Sequence, residues 1–165
     1  NWAGSPGNYL AFATLFSLAY ECGYSDTEEC YSFFARSGEG CTPGAWKNRL
    51  LNIGEWGPTG YSPSNKIGDV FNKVTKHSEC AHLANSTLLE ALDFGGGSGV
   101  EGGAKILLRA AVAALLNASH PGIDYPRSEH DVIHDVNAAL NTGDRDTMIT
   151  LAAALDADNN LGCPF

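Results

Sequence analysis

The chain has 165 residues, 44% hydrophobic and 18% charged, enough for one domain with a real core and an appended segment. Ten basic residues against nineteen acidic ones leave a net charge of −9; such a surface repels nucleic acid and anionic lipid, so neither is an expected partner. No apolar run approaches the roughly 18 residues of a membrane span, and membrane insertion is not expected.

Ser5-Pro6 reads as an N-cap and first helical residue, with Gly23 as the stop. Between them Leu10, Phe12, Phe16 and Tyr20 belong to a helix that is apolar nearly all round. Such a helix must be buried on every side, either as a central core helix or against a neighbouring subunit. No basic residue precedes it, so it is not an intact secretory signal, and any signal is expected to have been removed. Ser25-Asp26-Thr27-Glu28 has the form of a capping box and opens a second helix with Cys30, Phe33 and Phe34. Cys22 and Cys30 flank the turn between these helices, where a local bridge is easy to form. Residues 1–40 thus read as a helical leader and a candidate assembly element.

The stretch Cys41-Thr42-Pro43-Gly44-Ala45-Trp46-Lys47-Asn48 organises the remainder of the chain. Thr42 supplies a cap and Pro43 fits the first helical position. Trp46 and Leu50 share a helix face, and Cys41 stands just outside the cap, placed for a covalent tie. Trp56 to Pro63 reads as a rigid aromatic loop. Ile67, Val70, Phe71 and Val74 are spaced for one helix face, and residues 75–84 read as a polar loop holding His77, Cys80 and His82. Thr87-x-x-Glu90 is a capping box for a short helix. After the run from Gly95 to Gly99, Ser98-x-x-Glu101 is placed to cap the longest, Ala-rich helix, which Pro121 stops. Leu108, Val112 and Leu115 should be its most buried residues. Ser128-x-x-Asp131 opens a further helix closed by Gly143, and Asp144 opens the last. No strand run and no internal repeat is visible. The predicted fold is all-α, about seven short-to-medium helices in a compact disulfide-tied bundle with long irregular loops.

Candidate sites are sparse. His130-Asp-Val-Ile-His134 sets two imidazoles one helical turn apart, the spacing of a zinc pair, although Asp131 is a carbon shorter than the Glu a metalloprotease would use. Any third ligand must come from afar, such as His77, His82 or His120. Asp156-x-Asp158-x-Asn160 has the first ligand positions of a calcium loop, with Gly162 one place late. Gly97-x-Gly99-x-x-Gly102 lacks the preceding strand of a dinucleotide site. Trp46, Trp56 and Tyr61 form either a sugar-binding platform or a packed core cluster. No nucleophile motif is present, so no enzyme is expected, an extracellular hydrolase being the residual alternative; no cofactor is expected beyond the calcium candidate. Acidic charge, Gly-rich loops, cysteines near loop ends and the sequons at Asn85 and Asn117 point to an oxidising, extracellular or cell-surface setting.

Residues 41–165 resemble a family of uncharacterised secreted domains found in cell-surface proteins. The likeness rests on Cys41-Thr-Pro-Gly, Trp46-Lys-Asn, Thr59-Gly-Tyr-Ser-Pro63, Gly68-Asp-Val-Phe71, Leu88 to Gly97, Leu108 to Ala118, Tyr125-Pro126 and Gly162-Cys-Pro164. Ala45 stands where the family usually has an aromatic, and Arg49 where it often has His. The resemblance implies an exported, disulfide-tied module, often part of larger surface proteins. Cys41 and Cys163 are the ends of the family-like segment, and a bridge between them, beside a local Cys22–Cys30 bridge, would leave Cys80 unpaired or bonded to another chain. The expected function is that of a structural or adhesive surface protein, a self-assembling subunit of a filament or sheath that forms homo-oligomers or polymers. The alternative is a carbohydrate-binding module of a cell-surface protein.

Overall fold

Short local signals decide where each helix begins. The Thr42 hydroxyl accepts the Ala45 N–H at 3.2 Å, which starts helix α1: a π-helical stretch, Ala45–Leu50, finished by an α-helical turn, Leu51–Ile53. Gly54, at φ 87°, then ends it in the left-handed conformation that favours glycine. Trp46 and Leu50 are both fully buried, and the Trp46 carbonyl takes a donor from outside the helix, the Trp56 indole N–H at 3.1 Å. A widened turn with a side chain bonded into its carbonyls is a common cause of π geometry.

These elements come from a computed structural model that describes residues 38–165, one compact unit. The predicted leader helices, the assembly candidates Leu10, Phe12, Phe16 and Tyr20, and the Cys22–Cys30 bridge lie outside the described residues. After α1 come α2 (Ile67–Val70), α3 (Leu88–Ala91), α4 (Gly99–Ser119), α5 (Glu129–Thr142) and α6 (Arg145–Asn159). Among the described residues the extended pairing consists of two isolated bridges, Gly40 to Gly162 and Lys66 to Thr87. The unit is all-helical, as its sequence pattern predicts.

The longest helix is the axis of the bundle. At 21 residues α4 spans about 32 Å, with α6 and α5 packed along it. Leu108, Val112 and Leu115 have no exposed surface, as expected from their spacing. Ala104, Ala111, Ala113 and Ala114 are equally buried; small side chains let the neighbouring backbones approach from several sides. Gly102 carries this furthest, because a Cβ there would lie 2.2 Å from the Gly97 carbonyl. The glycine-rich loop is therefore folded tightly onto the first turn of α4, a packing role in place of a nucleotide cradle.

Most caps form as the sequence predicts. Thr87 and Glu90 make the full reciprocal box, the Ser128 hydroxyl accepts the Asp131 N–H at 3.1 Å, and Asp144 accepts the Thr147 N–H at 2.8 Å. Each satisfies a backbone donor that the helix start leaves over. Ser98 is the exception: it makes no capping bond, and Glu101 pairs instead with Lys105 at 2.7 Å and His82 at 3.3 Å.

The segment between α2 and α3 departs from expectation. The single predicted helix through Val74 breaks at Phe71 (φ −106°, ψ 68°). The chain resumes as 3-10 turns: Asn72–Lys76, across the end of the predicted helix, and Ala81–Asn85, largely within the expected polar loop. The buried residues explain the change: Phe71 and Val74, then Cys80 and Leu83, recur at intervals of three, the period of a 3-10 turn. The Asn137 side chain of α5 also accepts the Lys73 N–H at 3.0 Å.

Candidate functional site

Two places concentrate the chemistry. The first is buried at the C-terminal end of α4. Because the last turns of that helix, from Ala110 to Leu116, are buried on every side, Asn117 sits inside as well, and it is fully buried. Its Oδ1 accepts the Cys41 N–H and the Trp46 indole N–H, both at 2.9 Å. Its Nδ2 donates to the Cys41 carbonyl at 2.9 Å and to Asn159 Oδ1 at 3.0 Å. Asn159 Oδ1 also accepts the Tyr125 hydroxyl at 2.9 Å, and Asn159 Nδ2 donates to the Ala110 carbonyl at 3.0 Å. One amide thus ties α1, α4 and α6 and the strand-like start of the unit, with its hydrogen-bonding capacity used in full.

The same end carries the covalent closure. Cys41 and Cys163 form a disulfide across 122 residues of sequence, and the neighbouring Gly40 N–H donates to the Gly162 carbonyl at 2.9 Å. Close by, His120 is buried, accepts the Gly122 N–H at Nδ1 (3.0 Å) and donates from Nε2 to Glu55 (2.9 Å). This places its proton on Nε2. Phe165 packs edge-on against the His120 ring at 4.9 Å, which docks the C-terminal tail beside the disulfide.

This end overturns two expectations. Asn117 is a glycosylation candidate in the sequence; in the fold its Nδ2, the atom a glycan would occupy, makes two buried hydrogen bonds. Asn85, by contrast, is exposed at the end of its 3-10 turn. The sugar platform does not form either. Trp46 is fully buried and Trp56 is 3% exposed, edge to face at 6.2 Å and 85°, so neither ring offers a face to solvent. Tyr61 is separate and half-buried, its hydroxyl donating to Glu129. Burial first, and then that carboxylate, hold the Tyr61 phenol well above its ordinary range.

Asp156 and Asp158, read as calcium ligands, are helical residues of α6. Asp158 is taken by Arg127 at 2.6 Å, and the Asn160 amide donates to the Asp156 carbonyl at 2.7 Å, so the calcium loop is not formed. Cys80 is buried and unbridged among the described residues. Burial, then the Glu79 and Glu101 carboxylates, push its thiol up, away from the reactive thiolate. His82 points instead to Glu101, so no Cys–His dyad is made.

The second place is the outer face of α5. His130 and His134 line a groove of about 490 Å³ with Asn72, Lys73, Asn137 and Asn141. His77 does not join them; its ring nitrogen lies 3.2 Å from the Asn141 carbonyl. Among the described residues no group of three His, Cys, Asp or Glu side chains is arranged to hold a metal, and no described helix is long and apolar enough to cross a membrane.

Sequence reasoning missed the Asn117–Asn159–Tyr125 network and the Glu55–His120 pair. The available signal was Asn117 itself, a polar residue directly after the all-apolar run Ala110–Leu116, which demands an internal partner. No protein-family model, curated protein or solved structure matches the chain.

Proposed function

We propose that the protein is an exported structural or adhesive subunit, in which residues 41–165 form a covalently closed module and residues 1–40 carry self-assembly into a filament or sheath. The observation that carries this reading is the clasp at one end of the unit. The disulfide, the Gly40–Gly162 pairing and the saturated Asn117 amide all join the first and last turns of the same unit. A closure of this kind belongs to an oxidising compartment and to a module that must survive without cellular upkeep. The interior supports the same reading: its aromatic and polar groups are spent on one another. The leader supports assembly through its sequence, since a helix apolar all round needs cover on every side.

Negative-stain electron microscopy and light scattering of the oxidised full chain test this. Ordered polymers or a defined oligomer are expected, and a monomer that persists at high concentration overturns the proposal.

A further inference from the structure

The two imidazoles on α5 are better organised than a pair of solvated side chains requires. His130 and His134 stand one turn apart, their rings within 15° of parallel and 6.2 Å between centroids. Both side chains are exposed, by 86% and 70%. Each turns Nδ1 toward the carboxylate of the next residue: His130 toward Asp131 at 3.6 Å, His134 toward Asp135 at 3.1 Å. Those carboxylates are fixed in turn. The Ser128 hydroxyl donates to the other Asp131 oxygen at 2.7 Å. Arg127, anchored on Asp158 at 2.6 Å, stands 3.8 Å from the other Asp135 oxygen.

A carboxylate on one ring nitrogen fixes the tautomer and makes the other nitrogen a better metal ligand. At His134 the contact is a hydrogen bond and at His130 a longer ionic approach; both residues line the groove, and neither Nε2 has a hydrogen-bond partner among the described residues. Two ligands four residues apart on a stable helix lie on one face. The i, i+4 spacing is the one at which two helix histidines can reach a single ion. Glu129, Asp131 and Asp135 add negative charge on the same helix, with Lys73 the one cation on the facing wall of the groove.

We propose that His130 and His134 form a two-imidazole site for a divalent transition-metal ion of the copper, nickel and zinc class, with water in the remaining positions. Imidazole selects this class over calcium or magnesium, which take oxygen ligands. Asp131 and Asp135 act as positioning residues that hold the two rings.

The test is calorimetric titration of the oxidised, chelator-stripped full chain with nickel chloride. One saturable ion per chain is expected. His130→Gln and His134→Gln should each weaken binding about a hundredfold, the usual gain from a linked second ligand, while His82→Gln leaves it unchanged. In the NMR spectrum of the wild type, paramagnetic nickel should broaden the His130 and His134 ring signals first. Both positions are exposed, so circular dichroism of the variants should match the wild type. Equal affinity in the wild type and either α5 variant, or first broadening at another histidine, overturns the proposal.

Discussion

Replacing Asn117 with alanine tests the core argument most sharply. The side chain holds four hydrogen bonds, and its removal orphans three buried groups: the Cys41 N–H, the Cys41 carbonyl and the Trp46 indole N–H. The fourth partner, Asn159 Oδ1, keeps the Tyr125 hydroxyl. An orphaned buried group costs about 1–3 kcal/mol, which puts the total for three at about 3–9 kcal/mol. That is comparable to the whole stability of many domains, about 5–15 kcal/mol. Urea denaturation followed by far-ultraviolet circular dichroism, with the disulfide intact, measures it. Asn117→Asp separates lost shape from lost donors. The carboxylate keeps the two acceptor contacts but faces the Cys41 carbonyl and Asn159 Oδ1 with lone pairs. Its deficit should shrink as pH falls and the buried acid gains a proton to donate. A loss below about 1 kcal/mol for Asn117→Ala would refute the reasoning, because water would then be replacing the amide at no cost.

Three further outcomes are expected from the same structure. Cys163→Ser opens a loop of 122 residues and should lower stability by about 4–5 kcal/mol in the chain-entropy account, read as a shifted urea midpoint. Leu115→Ala should cost about 2–5 kcal/mol by leaving a cavity beside α4, while Leu115→Asp, an unpaired charge at a fully buried position, should abolish the cooperative transition. In alkaline titration Tyr61 and Tyr125 should ionise far later than an ordinary tyrosine near 10.0, Tyr61 through burial and Glu129, Tyr125 through burial and Asp158. Their folded-state affinity for the proton exceeds the unfolded one, so stability is whole below about pH 10 and falls as pH rises beyond it. Absorbance of phenolate against pH, with circular dichroism alongside, checks both.

Much of the unit was legible from local chemistry. Thr42, Thr87, Ser128, Asp144 and Gly143 mark helix ends because capping needs only neighbouring residues. The burial of Leu108, Val112 and Leu115 follows from their spacing alone. The parts that were not legible depend on partners distant in sequence. Asn117 carries a sequon that reads as a surface signal, and its actual partners lie 76, 71 and 42 residues away. Trp46 and Trp56 look like a platform until the indole of one is seen bonded into the helix of the other. Residues 75–84 read as loop because their buried residues, Cys80 and Leu83, keep a spacing of three, which a search for the α-helical repeat passes over. The α5 histidines were visible as a spacing and the Ser128–Asp131 pair as a cap, but not the Arg127 contacts with Asp135 and Asp158.

The central claim is that a self-sufficient, clasped module begins near residue 38 and that assembly belongs to the segment before it. Residues 38–165 expressed alone, oxidised, and compared with the full chain by thermal unfolding and light scattering test it most directly. The account predicts a cooperatively folded monomer that melts as the same unit does in the full chain, while the full chain associates. A molten or insoluble 38–165 fragment, or one that polymerises as readily as the full chain, would contradict it.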